Sequence, residues 1–314
     1  MTRYLLTGGA GFIGSNLTRY LLEKGHEPVV LDNFSTGKRE NLTEILDRIT
    51  LIEGDIRSAA DVDKALDGCA GVFHLGALGS VPRSIADPIA THDNNVNGTI
   101  GVLEGMRRVG VRRIVFSASS SVYGNQKVSP KVETMPILPI SPYAASKAAC
   151  EGYVQAYAAA FGIEAITLRY FNVFGPRQDP NSTYAAVIPA FVSALLHGES
   201  PTIFGDGEQS RDFSYVLNVC YANWLGMNVD AQRCSGRPIN VACNRQTTLN
   251  QIYRKLGELL ETDLPAIYAP ERPGDVKNSL ADIRRAKEIL GYEPLVYFDE
   301  GLKRSIEWYR ENLW

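Results

Sequence analysis

The sequence predicts an α/β protein built on a doubly wound parallel sheet, followed by a smaller mixed unit. Three observations carry that expectation. Short apolar runs alternate with helical stretches through the first half of the 314 residues. A glycine-rich turn, "TGGAGFIG", separates the first such run from the first helix. Past residue 172 the alternation gives way to stretches rich in proline, glycine and polar residues. Strands that alternate with helices pair in parallel and are covered on both faces, so they read as continuous apolar runs.

The first strand is read in "RYLLTG" and the first helix in "FIGSNLTRYLLEKG", where Ile13, Leu17, Tyr20 and Leu21 recur at helical spacing. "EPVVLDN", "ITLIEGD", "AGVFHLGA", "RRIVFSASS" and "IEAITLRYFN" follow as strands, with helical stretches between most of them. These elements assign residues 1–172 to one domain and 173–314 to a second. A segment near 212–243, from "DFSYVLNVCYANWLGM" to "PINVAC", is expected to return to the first. Within the second, "LNQIYRKLGELLE" and "LKRSIEWYREN" read as helices among loops such as "FGPRQDPNSTY", "IFGDGEQSRDF" and "YAPERPGDVKNS".

Composition narrows the function. With 45% hydrophobic and 21% charged residues and a net charge of −3, the chain reads as a globular protein with ample core. That charge argues against bulk nucleic-acid or membrane-surface binding. Five scattered cysteines without a C-x-x-C pair read as reduced thiols, neither a disulfide framework nor a metal site. The N-terminus shows no long apolar signal core and no apolar run reaches membrane-spanning length, so a cytoplasmic protein is expected.

Gly8, Gly11 and Gly14 stand three apart between strand and helix. Glycine is needed where the backbone turns tightly and approaches a pyrophosphate, which the helix N-terminus attracts through free N–H groups. Tight strand-to-helix turns also use glycine for geometry alone. The position after an N-terminal strand in an alternating chain favours the dinucleotide reading and a Rossmann-type sheet. Asp32 closes the second strand, where an acid accepts ribose hydroxyls and repels a 2′-phosphate, so NAD is expected over NADP. A plain acidic strand cap is the alternative. Asp55 and Ile56 follow the third strand in "GDI", where the aspartate is placed to reach the adenine amino group.

"SPYAASK" puts Tyr143 and Lys147 four apart on one helix face, with Ser141 and Pro142 as cap and first helical residue. The spacing alone favours the plain reading, a solvated helix face. "SASSSVYG" adds hydroxyls at a strand's carboxyl end, inside the expected ligand crevice. In order along the chain stand a cofactor turn, a hydroxyl donor, a phenol and an ammonium.

With "GGAGFIGS", "VFHLGA", "NNVNGT", "SASSSVYG", "SPYAASK", "LRYFNVFGP" and "GDGEQSRDF", the chain resembles the extended short-chain dehydrogenase/reductase family over its whole length. Within that family it looks like the NAD-dependent nucleotide-sugar epimerases. "ALGSVPRS" and "RQDPNSTYAAVIP" resemble the bacterial UDP-N-acetylglucosamine 4-epimerases of surface-polysaccharide pathways. The resemblance implies that Tyr143 is the catalytic base and acid, that Lys147 contacts the nicotinamide ribose and favours the phenolate, and that Ser119 is the catalytic hydroxyl. It implies a cofactor site floored by Gly8, Gly11, Phe12, Ile13 and Gly14. Asp32, Asn33, Ser35, Thr36 and Gly37 would face the adenosine side, with Asp55 and Ile56 beside them. Leu75, Gly76, Ala77, Asn94 and Ser117 would continue the wall toward Tyr143 and Lys147, and Tyr170 and Val173 would close it.

For the substrate, the resemblance places Asn172 and the chain at Ala185, Ala186 and Val187 on the diphosphate and uracil. It gives Phe204 and Gly205 a part in holding the nucleotide, Arg211 and Arg272 the phosphates, and Asp275 a ribose hydroxyl. Ser80, Val81, Ser119, Ser120 and Ser121 would surround the sugar, with Ser279 beside its C2 where galactose-type enzymes carry tyrosine. Helix capping is the plain alternative for Ser279. Gly79 stands where galactose-type enzymes carry lysine. No metal is implied.

The expected reaction is 4-epimerisation of a UDP-hexose, UDP-GlcNAc and UDP-GalNAc foremost, through a 4-keto intermediate. UDP-glucose/UDP-galactose 4-epimerisation and the epimerisation or decarboxylation of a UDP-uronic acid such as UDP-glucuronate are alternatives, the last because Arg83 and Arg177 are candidates to face a C6 carboxylate. A non-enzymatic NAD-binding regulator is the distant one. Dehydration is disfavoured because Ser120 and Ser121 stand where 4,6-dehydratases carry an Asp-Glu pair. Small and apolar residues on more than one face of the helices at "NNVNGTIGVLEGMRRVG" and "SPYAASKAACEGYVQAYAAAF" predict a homodimer, as family members form there.

Overall fold

The structure, a computed structural model, describes residues 1–180, 186–271 and 278–312. Seven strands form one parallel sheet: β1 (Arg3–Thr7), β2 (Glu27–Asp32), β3 (Thr50–Glu53), β4 (Gly71–His74), β5 (Arg113–Ser119), β6 (Glu164–Tyr170) and β7 (Ser235–Val241). Their spatial order is β7-β6-β5-β4-β1-β2-β3, a doubly wound Rossmann-type arrangement whose order reverses between β1 and β4. The register is continuous where the sheet is deepest, with Leu6 opposite Val30 and Phe73 opposite Val115. β1, β2 and β4 are buried almost throughout, which is why they read as unbroken apolar runs.

Helices α1 (Phe12–Glu23), α2 (Ala59–Leu66), α3 (Gly98–Val109) and α4 (Pro142–Phe161) connect these strands, and α5 (Val216–Asn228) precedes β7. α1 and α5 pack together on one face of the sheet; α2, α3 and α4 cover the other. Leu17, Leu21, Phe73, Ile166 and Val219 join one core, and Leu5, Val72, Leu103, Ile114 and Val154 the opposite one. The seventh strand thus comes from beyond residue 172, pairing with β6 from Ser235↔Ala165 to Val241↔Tyr170. β-branched residues along this edge suit a pleated, buried surface.

The rest of the second half is assembled from small ladders. Ser210–Asp212 pairs antiparallel with Gln246–Thr248, and Thr202–Phe204 runs parallel with Ile267–Ala269. Thr248 begins helix Leu249–Leu260 through a reciprocal capping box with Gln251. All five cysteines are free, four of them buried. Among the described residues no helix is long and apolar enough to cross a membrane.

Candidate active site

The carboxyl ends of the central strands open on a cavity of about 450 Å³. Its floor is the glycine turn. Gly8 adopts φ +68°, and a Cβ there would come within 2.8 Å of Gly76. On Gly14 a Cβ would stand 2.1 Å from the Gly8 carbonyl oxygen. The turn excludes side chains, and α1 starts at Gly11 with no side chain capping its N–H groups along the cavity wall.

Asp32 lies at the cavity's edge on the end of β2. Its carboxylate accepts the Ala10 and Phe34 N–H groups, each at 2.9 Å. Burial pushes its pKa up, against the pull of those two hydrogen bonds. Spare lone pairs remain for ribose hydroxyls. Ser35, Thr36, Gly37, Leu75, Gly76, Ala77, Asn94, Ser117, Tyr143, Lys147 and Tyr170 line the same space. Asp55 is held by Arg57 well below the usual carboxylate range and accepts from Asn33 at 2.9 Å; its neighbour Ile56, rather than Asp55 itself, lines the cavity. Val173 falls outside it and faces two cavities on the substrate side. A floor closed to side chains, free helix amides and a carboxylate at the strand end fit NAD.

Ser141 Oγ accepts the Ala144 N–H at 3.1 Å and Pro142 occupies the first turn, so α4 begins where its sequence predicts. One turn in, buried Lys147 donates from Nζ to the Ser117 carbonyl at 2.8 Å, fixing the helix to the end of β5. Ser117 Oγ and the Tyr170 hydroxyl share a hydrogen bond of 2.9 Å beside it. Tyr143 borders both the cofactor cavity and a second cavity of about 590 Å³. Ser119, Ser120 and Ser121 line this second cavity with Val81, Asn172, Arg211 and Ser279. Ser119 Oγ accepts the Ser121 N–H at 3.2 Å, whereas Ser121 Oγ is buried with no partner among the described residues. A buried hydroxyl without a partner, on a residue that lines a cavity, is a place for a ligand atom.

Asn172, at φ +34°, donates from Nδ2 to the Asp212 carbonyl at 3.0 Å and to Ser279 Oγ at 3.1 Å. Ser279 therefore caps no helix: the following helix starts at Arg284 after Ile283. Ala186, Val187 and Arg211 meet Phe213 and Leu249 around a third cavity of about 290 Å³. Ser80 faces the cofactor cavity, and its Oγ accepts from Arg83 N at the start of helix Val81–Ala86. Phe204 and Gly205 line none of these three cavities; Phe204 ends a ladder strand and Gly205 turns at φ +80°. Ala185, Arg272 and Asp275 lie outside the described residues.

Of the two arginines considered for a sugar carboxylate, Arg83 lines the cofactor cavity. Arg177 turns away, 3.6 Å from Glu44, and burial lowers its pKa to about 10. Gly79 lies at the cofactor cavity with open space where a Cβ would project. Sequence reading missed Gln178 and Asp179 in the cofactor cavity, Gln209 and Phe213 in the third, and Lys131 and Ile140 in the sugar cavity. Gln178, Asp179, Gln209 and Phe213 lie within quoted motifs, but no side-chain type in them signals a cavity position by itself.

Comparisons with known proteins follow this geometry. The model of the NAD dependent epimerase/dehydratase family matches residues 4–242. The UDP-glucose 4-epimerase of Mycolicibacterium smegmatis is 38% identical, covering 99% of either chain. A UDP-N-acetylglucosamine 4-epimerase from Methanobrevibacter ruminantium M1, solved with UDP-N-acetylmuramic acid, superposes at TM-score 0.93 with 42% identity, over 99% of this chain and 98% of that one. The Thermotoga maritima UDP-glucose 4-epimerase, solved with UDP-glucose, gives TM-score 0.94 at 38% identity over 100% of both.

Proposed function

The chain belongs to the NAD dependent epimerase/dehydratase family, and from that premise we propose that it is a UDP-sugar 4-epimerase whose preferred pair is UDP-GlcNAc and UDP-GalNAc. One observation carries the catalytic reading: Tyr143 stands where the cofactor and sugar cavities meet, with Ser119 on the sugar side and Lys147 on the cofactor side. When bound, NAD supplies the acceptor for hydride from the sugar and its return. The protein's own groups move the proton. The Tyr143 phenolate takes it from the sugar's 4-hydroxyl and returns it to that same oxygen once the sugar has turned over, with the Ser119 hydroxyl beside it. Lys147, with one donor spent on Ser117, keeps others for a ribose. Small residues at Ser120, Ser121, Gly124 and Ser279 leave the intermediate room to turn over. None of them is a carboxylate, which supports epimerisation over dehydration.

The acetylated substrate is supported by the wall at Ser279. Its hydroxyl accepts from Asn172, so its own proton remains free to meet an acetamido carbonyl. Its side chain is short, and no bulky group stands in its place. The test is to incubate the purified protein, without added NAD, with UDP-GlcNAc and UDP-Glc separately and resolve the products. Wild type should interconvert UDP-GlcNAc and UDP-GalNAc. Ser279→Tyr should abolish that conversion and keep some UDP-Glc/UDP-Gal activity, since bulk excludes only the larger C2 substituent. A tyrosine variant as active as wild type on acetylated sugars would remove Ser279 as the gate.

A homodimer through α3 and α4 belongs to this reading. Val109, Tyr153 and Phe161 on these helices are 42%, 42% and 48% exposed, which leaves apolar surface for a partner. Light scattering at micromolar protein should give twice the 34.5 kDa chain mass. A monomer mass would contradict it.

A further inference from the structure

One wall of the cofactor cavity comes from the second half of the chain. Beyond β6 the backbone runs through Gly175–Asp179, and Gln178 and Asp179 line the same space as the glycine turn and Ser35–Gly37. This strap is tied down on both sides. Asn16 Nδ2, on α1, donates to the Pro176 carbonyl at 2.9 Å. The Tyr309 hydroxyl donates to the Gln178 carbonyl at 2.8 Å. Arg177 sits at φ +68°, a backbone that a non-glycine residue adopts only where its surroundings hold it. Lys38 then reaches from the opposite wall: its N–H donates to the Ala10 carbonyl at 3.1 Å, and its Nζ lies 2.9 Å from Asp179 Oδ2.

We propose that Lys38 and Asp179 form a clasp across the mouth of the cofactor cavity that sets how fast NAD leaves. The inference rests on the reading that this cavity holds NAD. Lys38 directly follows Gly37 in the loop that closes over Asp32, and Asp179 ends the strap, so their ion pair joins two walls that belong to different halves of the chain. A ligand filling the cavity passes this bridge on leaving. An enzyme that regenerates its cofactor in every cycle has no need to exchange it, so slow release carries no penalty in turnover. The side chains are 48% and 32% exposed, which makes the pair modest in strength and open to screening by salt.

The test uses the protein as purified with NAD bound and follows exchange of that NAD against an excess of labelled NAD. Lys38→Met and Asp179→Asn should each speed release about threefold to fivefold at low salt, the factor an exposed pair supplies. Raising salt to about 0.5 M should speed release from wild type and leave the variants nearly unchanged. The swapped double variant, Lys38→Asp with Asp179→Lys, should return toward slow, salt-sensitive release. Singles that release NAD at the wild-type rate, or a swapped pair as fast as the singles, overturn the clasp while the cofactor reading stands. A wild-type protein that neither carries nor takes up NAD overturns both.

Discussion

Tyr143→Phe should lower epimerisation at least about a hundredfold, the usual scale for losing a general acid–base group. The substitution keeps the ring, and with it the wall shared by the two cavities, and removes only the hydroxyl. Lys147 remains anchored on Ser117, and the glycine turn is untouched, so NAD content after purification should match wild type. The measurement is product formation beside the amount of NAD released on denaturation. Near-normal turnover with normal NAD would take Tyr143 out of the mechanism. A variant that loses both would instead place its main effect on cofactor binding.

Gly14→Ala should be among the most damaging single methyl additions in the molecule. Its Cβ would stand 2.1 Å from the Gly8 carbonyl oxygen and 2.7 Å from Gly9 Cα, so backbone on one side of the turn must move. Overpacking of this kind costs about 1–3 kcal/mol, and relief by moving the turn would spoil the approach that an anion requires. The variant is expected to purify without NAD, to melt at lower temperature and to show at most about one hundredth of wild-type activity even with NAD added. NAD content and a melting curve check it. Gly79→Ala makes the contrast, because a Cβ there meets nothing within 4 Å and should leave melting unchanged.

The sheet was largely legible because its strands are buried on both faces and carry their signal within a few contiguous residues. Leu5, Leu6, Val29, Val30, Val72 and Phe73 are almost wholly inaccessible, and each lies in a run read as a strand. The small ladders left no comparable trace: Ser210–Asp212 and Gln246–Thr248 have three residues each and hold polar side chains. In the site, residues fixed by local chemistry were readable. Ser141 caps a helix and Gly14 packs on a carbonyl, while Tyr143 and Lys147 share a helix face by spacing and take their roles from the family resemblance. Residues placed by long-range folding were not. Nothing near Arg177 in the sequence says that it will turn toward Glu44, or that Asp179 will face the cofactor cavity. Ser279 and Asn172 were named through the resemblance, but their hydrogen bond across 107 positions was not.

The late arrival of β7 bears on how the protein is made. A ribosome delivers β1 to β6 in order, and at residue 170 the nascent sheet ends in a strand, buried throughout in the finished protein except for Glu164, whose outer backbone groups still face water. Such an edge invites pairing with other chains. It stays open until Val241 has emerged, because among the described residues Ser235–Val241 is the strand that covers it. Chain stopped by a frameshift or a stalled ribosome between these points would carry the glycine turn, Tyr143 and Lys147 yet expose the strand that holds Tyr170. Quality control during synthesis therefore meets its hazard in the middle of this gene, after Tyr143 and Lys147 are translated and before the sheet can close.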